Sequence, residues 1–347
     1  MYTKRLVLLV LIIGLVLCAG FAYMVYNALL SPNTNFEESQ VTVYIPTGST
    51  MENVLEIMEP YLENSDTFYQ VARRKKYDQN IKAGKYVLIK GMNNNDLINT
   101  IRSQNSPVSV SFNNQETLAS LAGRIGEQIE ADSTALLKAF QDRTFMEDKG
   151  FSTETALTMY LPNSYEFYWN TSADRFRDRM YEEYSRFWTE ARVGKAKALG
   201  LSKAEVISLA AIVQKETAKV DERPRIAGVY LNRIKRGMKL QADPTVIFAI
   251  KHSSGNYDTI IKRVLYRDLT LDSPYNTYKY AGVPPGPITM PDISSIEAVL
   301  NSEKHNYLYF VVNVERFGYH MFASTLAQHN RNKAQYVRWI NQQNINR

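Results

Sequence analysis

The residue best suited to acid chemistry in this 347-residue sequence is a glutamate near the end of a predicted helix. Ser202 followed three residues later by Glu205 has the spacing of a capping box, which predicts that a helix begins there. Apolar residues then recur on one helix face at positions 209, 212 and 213, and Glu216 is the next position on that face. Burial without a partner raises the pKa of a carboxyl group, and a carboxylic acid that stays protonated near neutral pH can act as a general acid.

The helix alone leaves a second interpretation of Glu216 open. Because the residue lies near the helix end, its carboxylate could instead form an ion pair with Lys219, Arg223 or Arg225. A buried general acid and a solvated ion pair require different groups around the carboxyl, so the two interpretations predict different surroundings.

The segments that follow this helix must supply the rest of a site. Residues 221–224 include a proline at an early helical position, and they predict a helix that ends before Gly237. Residues 238–241 have the pattern of a short strand, and residues 243–245 that of another helix start. In that third segment Asp243 could be the helix N-cap.

Two loops further on have a composition that suits a carbohydrate groove. Residues 273–278 combine Tyr, Asn and Thr, and residues 282–287 contain three prolines. Aromatic rings can lie against the apolar faces of sugars, and amides can bond hydroxyl and acetamido groups. Beyond them, residues 307–311 and 320–323 predict a hairpin in the core.

Smaller elements precede the candidate site. Residues 41–45 predict a strand, Thr50 precedes a helix, and a second helix over about 66–77 and a strand over 85–89 complete a β-α-α-β unit. Val108, Phe112, Thr117 and Leu121 repeat the spacing of residues 41, 45, 50 and 54. We therefore expect two small α+β modules at 38–103 and 104–156, and an amphipathic helix over 173–191 within the last domain.

The amino terminus has the composition of a membrane anchor. Residues 6–25 form an uncharged apolar run of 20 residues preceded by Lys4 and Arg5. The positive-inside rule keeps those two basic residues in the cytoplasm and places the chain after residue 30 outside it. We expect residues 1–30 to form the cytoplasmic tip and an uncleaved single-pass anchor, and residues 31–37 a linker. Cys18 leaves lipid attachment open as a different form of tethering.

Composition excludes several other classes of protein. Hydrophobic residues make up 45% and charged residues 22% of the chain, which is enough apolar material for a sizeable core. The single cysteine excludes an intramolecular disulfide framework, and four histidines without an HExxH pair argue against a metal site. A net charge of +6, spread along an exported chain, opposes nucleic-acid binding.

Several motifs in this order resemble the YceG-like family of membrane-anchored endolytic murein transglycosylases. They are IVQKET at 212–217, VYLNR at 229–233, GMKLQADPT at 237–245, YNTY at 275–278, GVPPGPI at 282–288, YLYFV at 307–311, HMF at 320–322 and HN at 329–330. LPNSY at 161–165 is similar to the family's LFPDTY stretch, with Asn163 in place of the usual Asp. The family's proposed catalytic residue is the Glu of an EKET-like stretch. Since Gln214 occupies the first acidic position here, the resemblance assigns that role to Glu216.

The resemblance implies a multidomain α+β fold with a LysM-like peptidoglycan-binding module at 38–103 and a catalytic domain at 157–347. It also implies cleavage of the β-1,4 bond between N-acetylmuramic acid and N-acetylglucosamine within glycan strands. The C6 hydroxyl of the muramic acid would attack C1 and leave a 1,6-anhydro end, so that one carboxyl group serves as acid and then as base, without metal or cofactor. Termination of nascent strands beside peptidoglycan synthases is implied in the same way.

Six residues are the candidates for holding the sugar and stabilising an oxocarbenium-like transition state: Gln241, Asp243, Tyr275, Asn276, Thr277 and Tyr278. His320 and His329 could line the cleft or be structural. A hydrolase with a second carboxylate is the alternative enzyme, and Asp243, Glu222 and Asp272 are its candidates. A membrane-tethered, non-catalytic peptidoglycan-binding scaffold is the alternative from another class.

Overall fold

The computed structural model describes residues 2–342, and its fold is mixed α+β. Its residues form two compact units. The amino-terminal unit holds the chain up to Val110 together with Gln128–Ala131 and Tyr165–Ser172. The carboxy-terminal unit holds Ser111–Glu127, Asp132–Ser164 and the chain from Ala173. The predicted functional boundaries at 38–103, 104–156 and 157–347 stay predictions.

The amino-terminal unit begins with one long apolar helix. Helix α1 spans Tyr2–Leu30 and contains the predicted segment 6–25. It is long and apolar enough to cross a membrane, and none of its residues is buried. Its end is attached to the rest of the unit, because the side chain of Asn94 donates a hydrogen bond to the carbonyl of Ala28.

The predicted β-α-α-β order follows α1. Strand β1 (Gln40–Ile45), helix α2 (Met51–Met58), helix α3 (Ser65–Arg74) and strand β2 (Gly84–Ile89) form in that order. β1 and β2 are antiparallel, with Gln40 opposite Ile89 and Ile45 opposite Gly84. A further helix that the pattern did not predict, α4 (Asn94–Ser103), packs on β2 and α3. The core between these elements contains Ile45, Val54, Met58, Phe68, Tyr86, Leu88 and Leu97.

The repeated spacing corresponds to a repeated local structure. Thr50 is the N-cap of α2, and its side chain accepts a hydrogen bond from the main-chain N–H of Asn53. In the same way Thr117 caps helix α5 (Leu118–Gly126), which follows strand β3 (Pro107–Phe112). β3 pairs with strand β4 (Asn163–Tyr168), whereas β1 pairs with β2. The strand, turn and threonine-capped helix are therefore confirmed at both places.

Four further helices form one part of the carboxy-terminal unit. They are α6 (Ser133–Phe140), α7 (Arg143–Lys149), α8 (Ala173–Phe187) and α9 (Glu190–Leu199). The predicted helix over 173–191 begins at Ala173 as expected, but its predicted end was wrong. Thr189 is an N-cap whose side chain accepts from the main-chain N–H of Arg192, so α8 ends at Phe187 and a new helix begins.

Helix α10 (Lys203–Glu216) is the centre of this unit. Ser202 and Glu205 form the predicted capping box at its start. Every residue from Val206 to Val213 is buried, because α10 contacts α9 and three later helices, α11 (Arg223–Lys235), α12 (Asp243–Ser254) and α13 (Ile293–Leu300). Its last residue is Glu216, so the fold carries a buried helix directly to the candidate acid.

The last elements are a hairpin and a helix. Strands β5 (Tyr309–Val312) and β6 (His320–Ala323) pair antiparallel, with Tyr309 opposite Ala323, and helix α14 (Leu326–Gln342) packs on both. The predicted hairpin is confirmed, although Tyr309, Phe310 and Val311 are only half-buried.

The predicted strand at 238–241 does not form. Two of its carbonyls, those of Lys239 and Leu240, accept hydrogen bonds from the Arg233 guanidinium. Gln241 has a φ of 50°, in the left-handed region that a strand cannot contain. The segment is therefore a loop that an arginine side chain holds in place.

Candidate active site

Glu216 lines a cavity of about 360 Å³ in the carboxy-terminal unit. Its side chain is half-buried, whereas residues 206–213 of the same helix are buried. The cavity walls come from α10, α11, α12, the 238–241 and 273–278 loops, β5 and α14. The lining residues are Glu216, Tyr230, Arg233, Leu240, Gln241, Asp243, Tyr278, Tyr309, Phe310, Leu326 and His329.

A tyrosine holds the Glu216 carboxyl in position. Tyr230, a buried residue of α11, donates its hydroxyl to Oε1 of Glu216 at 2.8 Å. Burial raises the pKa of Glu216 to about 7, against the opposing effect of the Tyr230 hydrogen bond and with a smaller contribution from the nearby charge of Asp243. Near neutral pH a large fraction of the molecules therefore carry a protonated acid that faces an open cavity.

The ion-pair interpretation of Glu216 was wrong. Arg223 lies 3.7 Å from Asp292, and Arg225 pairs with Glu303 at 2.9 Å. Lys219 places its ammonium group over the ring of Tyr319. All three cations have other partners, and the carboxyl of Glu216 is bonded to a neutral hydroxyl.

Asp243 provides a second carboxyl in the same cavity. Its Oδ1 accepts a hydrogen bond of 2.6 Å from the Tyr278 hydroxyl, and both side chains line the cavity. Burial, the hydrogen bond to Asp243 and the charge of that residue raise the pKa of Tyr278, so its hydroxyl stays a donor. The interpretation of Asp243 as an N-cap was wrong, because Ala242 occupies the cap position and Asp243 is the first helical residue.

Gln241 lines the cavity beside Asp243. Its main-chain N–H donates to the carbonyl of Thr277 at 3.1 Å, and its side-chain oxygen lies 3.5 Å from a guanidinium nitrogen of Arg233. Arg233 also donates to the carbonyl of Leu308 at 2.7 Å. One buried arginine thus joins the 238–241 loop to the segment that leads into β5.

Three of the six predicted sugar-binding residues do not reach the cavity wall. Asn276 donates to the carbonyls of Leu269 and Leu271, at 3.0 and 2.8 Å. The hydroxyl of Thr277 accepts from the main-chain N–H of Ala242 at 3.0 Å. The ring of Tyr275 packs 4.7 Å from that of Phe248. Tyr275, Asn276 and Thr277 are buried and hold the loop that carries Tyr278, which together with Gln241 and Asp243 does line the cavity.

His320 and His329, for which the sequence left both a cleft-lining and a structural role open, have different surroundings. Nδ1 of His320 lies 2.8 Å from Oε2 of Glu222, and the main-chain N–H of His320 donates to Oε1 of the same carboxylate. Burial would raise the pKa of Glu222, but the hydrogen bonds from His320 outweigh it and lower that pKa. His329 instead lines the cavity and stacks on Tyr309.

Of the three carboxylates considered for a hydrolase, only Asp243 lines the cavity among the described residues. Glu222 is bonded to His320, and Asp272 accepts from Lys279 and Tyr280, at 2.8 and 2.5 Å. Within residues 2–342 the structure contains no group of three or more His, Cys, Asp or Glu side chains that could hold a metal ion.

Sequence reasoning missed several cavity residues as functional candidates. Tyr230 and Arg233 lie three residues apart on α11, and Tyr309 and Phe310 are neighbours in β5. The i, i+3 spacing of the first pair indicated a shared helix face, but Tyr230 had the pattern of an ordinary apolar stripe.

Gln214 and Asn163, which differ from the usual residues of the family motifs, both lie outside the Glu216 cavity. Oε1 of Gln214 accepts from the main-chain N–H of Asp292 at 2.6 Å and from Ser295 at 3.0 Å, so it joins α10 to the start of α13. Asn163 lines a separate cavity of about 420 Å³ that also includes Arg124 and Asp292.

Known proteins resemble this chain over most of its length. Residues 43–335 match the model of the YceG-like family. The endolytic murein transglycosylase of Bacillus subtilis (strain 168) is 30% identical, over 92% of this chain and 91% of that protein. A protein of the same description from Streptococcus pneumoniae serotype 2 is also 30% identical, over 97% of this chain and 66% of its own length. A crystal structure of a yceG-like protein from Listeria monocytogenes has a TM-score of 0.56 and 28% identity, covering 85% of this chain and 99% of that one.

Proposed function

The chain belongs to the YceG-like family, and from this premise we propose that it cleaves the β-1,4 bond between N-acetylmuramic acid and N-acetylglucosamine within peptidoglycan strands. The observation that carries the proposal is Glu216, a carboxyl group that burial keeps partly protonated at the wall of an open cavity. The description of the relatives as endolytic murein transglycosylases favours cleavage without water over hydrolysis.

One carboxyl group is sufficient for this reaction. Protonated Glu216 gives its proton to the glycosidic oxygen as the bond from that oxygen to C1 breaks. The C6 hydroxyl of the muramic acid then bonds to C1, and its proton returns to the Glu216 carboxylate. The products are a strand with a free C4 hydroxyl and a strand that ends in a 1,6-anhydro ring, and the enzyme is regenerated.

Asp243 has the charge that the transition state needs. Positive charge develops at C1 and the ring oxygen, and a carboxylate in the same cavity stabilises it. Tyr278 holds Asp243 by a 2.6 Å hydrogen bond, so the carboxylate is oriented before the substrate arrives. The same residue makes a hydrolase the second candidate, because Asp243 could instead activate a water molecule.

The amino-terminal unit is proposed to retain the enzyme on its polymer. Its β-α-α-β order resembles a LysM-type module, and a groove of about 690 Å³ lies between residues 49–52, at the start of α2, and the 78–81 loop. The residues that line this groove include Asp78, Gln79 and Asn80, whose side chains can bond the amide and hydroxyl groups of a glycan.

Helix α1 is proposed to place the cleavage outside the cytoplasm. With Lys4 and Arg5 in the cytoplasm, α1 spans the cytoplasmic membrane once and the catalytic unit lies on its outer side. A tethered enzyme that cuts within strands would act on strands as they leave the membrane, and would so terminate nascent strands near the synthases.

Digestion of intact glycan strands by the full chain in detergent tests the proposal. We expect mass spectrometry to find muropeptides lighter by one water than the products of a hydrolase, and Glu216→Gln to abolish their release. Reducing muramic acid ends would replace the lytic mechanism with hydrolysis. Binding of strands without any cleavage would identify a scaffold and overturn the enzymatic proposal.

A further inference from the structure

A second cavity lies next to the one that contains Glu216. It has a volume of about 280 Å³, and the residues that line it belong to the carboxy-terminal unit. Lys215 and Pro244 line this second cavity, whereas their chain neighbours Glu216 and Asp243 line the first. Because neighbouring Cα atoms are about 3.8 Å apart, the two cavities adjoin at the end of α10 and at the start of α12.

Much of the wall of the second cavity is apolar. Ile260, in the loop after α12, is 83% exposed, so its side chain is accessible to a ligand. Besides Pro244, the other apolar residues that line the cavity are Ile247, Phe248, Ile261 and Ile288. Pockets for whole ligands usually have about 300–1,000 Å³. A smaller cavity with such a wall is suited to an apolar branch of a larger substrate.

One carboxylate and two ammonium groups form a cluster in the same cavity. Oε1 of Glu116 lies 3.1 Å from Nζ of Lys215, and its Oε2 lies 2.8 Å from Nζ of Lys251. Burial would raise the pKa of Glu116, but the hydrogen bonds and charges of the two lysines outweigh it and lower that pKa. The cluster therefore carries one net positive charge. An ammonium group has three N–H donors, so each lysine can also donate to a carboxylate of a ligand.

Asp258 provides the opposite charge in the second cavity. Its side chain is exposed, and it forms no ion pair among residues 2–342. The cavity thus combines ammonium donors, a carboxylate acceptor and an apolar wall. A bare glycan has no amino group for Asp258 and no aliphatic side chain for Ile260. A short peptide with a free carboxyl group, a free amino group and aliphatic side chains has all three features.

We propose that the second cavity binds the peptide stem that muramic acid carries on its lactyl group, while the glycan itself lies in the Glu216 cavity. Lys215 and Lys251 bind a carboxylate of the stem. Asp258 binds the amino group of its diamino acid, and Ile260 packs against its alanine methyl groups. An extended tetrapeptide spans about 13 Å, so it reaches from the glycan into an adjoining cavity. The inference rests on the proposed function, because it takes peptidoglycan as the substrate.

Two forms of one substrate test this assignment. The substrate is an uncross-linked octasaccharide of four N-acetylglucosamine–N-acetylmuramic acid repeats, either with a tetrapeptide on every muramic acid or after an amidase has removed the peptides. The full chain in detergent cleaves each form, and mass spectrometry measures kcat/KM from the release of anhydro products. We expect kcat/KM of the wild-type protein to be about tenfold higher for the form that carries peptides, which corresponds to about 1.4 kcal/mol.

Ile260→Ser tests the apolar wall. We expect its kcat/KM to fall about fivefold on the peptide-bearing form, because part of an isoleucine side chain is no longer buried by the stem, and to stay unchanged on the bare form. Tyr266→Ser is the matched control. Tyr266 is 88% exposed in the same loop and does not line the second cavity, so its replacement should change neither rate.

Asp258→Asn tests the charge. We expect kcat/KM on the peptide-bearing form to fall about threefold, the effect of one exposed ion pair. Acetylation of the amino group of the stem removes the partner of Asp258 from the substrate. On the acetylated substrate the wild-type protein should therefore lose a similar factor, and Asp258→Asn should have no further effect.

The outcomes separate this inference from the proposed function. If the wild-type protein cleaves the two forms equally well, or if Ile260→Ser and Asp258→Asn slow both forms equally, then the second cavity does not bind the stem. The inference is then overturned, and cleavage of the glycan still stands. If neither form is cleaved, the proposed function is overturned and the inference with it.

Discussion

Replacing Tyr230 with phenylalanine removes the hydroxyl that donates to Glu216 at 2.8 Å and leaves the apolar part of the ring in place. That hydrogen bond stabilises the carboxylate and so opposes the effect of burial, which raises the pKa of Glu216 to about 7. A hydrogen bond to a charged group contributes about 1.5–3 kcal/mol, and one pKa unit corresponds to about 1.4 kcal/mol. We therefore expect the pKa of Glu216 in Tyr230→Phe to rise by roughly one to two units.

The pH dependence of kcat/KM reports this change. A general acid must be protonated in the free enzyme, so kcat/KM of the wild-type protein should fall as pH rises through about 7. In Tyr230→Phe the fall should move upward by roughly one to two pH units. The assay measures the initial rate of release of anhydro-muropeptides across the pH range, with the full chain in detergent.

A matched variant excludes a general effect of tyrosine loss. The hydroxyl of Tyr257 contacts His252 at 2.7 Å, outside the cavity, so Tyr257→Phe should leave the profile in place. If Tyr230→Phe keeps the wild-type profile, or if its fall moves to lower pH, then the hydroxyl does not stabilise the carboxylate of a general acid and the reasoning is refuted.

Three further substitutions, one of them paired with a control, test the site and its supports. The pKa of Glu216 is about 7 in the folded protein and 4.5 for a free side chain, so the wild-type protein loses stability as pH rises from about 4.5 to about 7. Glu216→Gln does not titrate and should escape this loss. In denaturant unfolding we expect this variant to be more stable than wild type by about 3 kcal/mol at pH 8 and equal to it at pH 4. A Cβ on Gly286 would collide with the main-chain carbonyl of Glu154, so Gly286→Ala should destabilise the protein by about 1–3 kcal/mol in thermal unfolding. The control, Gly194→Ala, adds a Cβ in open space on α9 and should stabilise the protein by about 0.5–1 kcal/mol. Equal effects of the two substitutions would contradict the packing around Gly286. Thr277→Val leaves the main-chain N–H at the start of α12 without its acceptor, and we expect a loss of about 1–3 kcal/mol in denaturant unfolding together with reduced kcat/KM; an unchanged protein would show that this hydroxyl does not support the site.

Local capping signals made much of the secondary structure predictable. Ser202 with Glu205, Thr50 and Thr117 each mark a helix start by a bond to a main-chain N–H nearby in sequence. Such bonds need only the residues within one turn, so a sequence pattern can identify them. The same chemistry was overlooked at Thr189, where it divides α8 from α9.

Segments fixed by distant groups were not predictable in this way. The alternation at 238–241 favoured a strand, but the Arg233 side chain bonds two of its carbonyls and Gln241 takes a left-handed conformation. Nothing within the segment itself indicates either feature. Tertiary hydrogen bonds outweighed local pattern, as they often do for short strands.

The candidate site was predictable in part for the same reason. Helical spacing selected Glu216, because the direction of a side chain on a helix follows from its position. Composition selected the 275–278 stretch. The composition of a loop does not indicate which way its side chains point, and those of Asn276 and Thr277 point inward to main-chain partners. The contact of Glu216 with Tyr230 joins two helices and has no local signal in the sequence.

The most direct test of the account is the protonation state of Glu216 in the resting protein. The infrared difference between wild type and Glu216→Gln, recorded as a function of pH, isolates the absorption of this one carboxyl group. The account predicts a protonated carboxylic acid band that is lost as pH rises through about 7. If the protonated band is instead lost near pH 4.5, the ordinary pKa of a glutamate side chain, the account is contradicted.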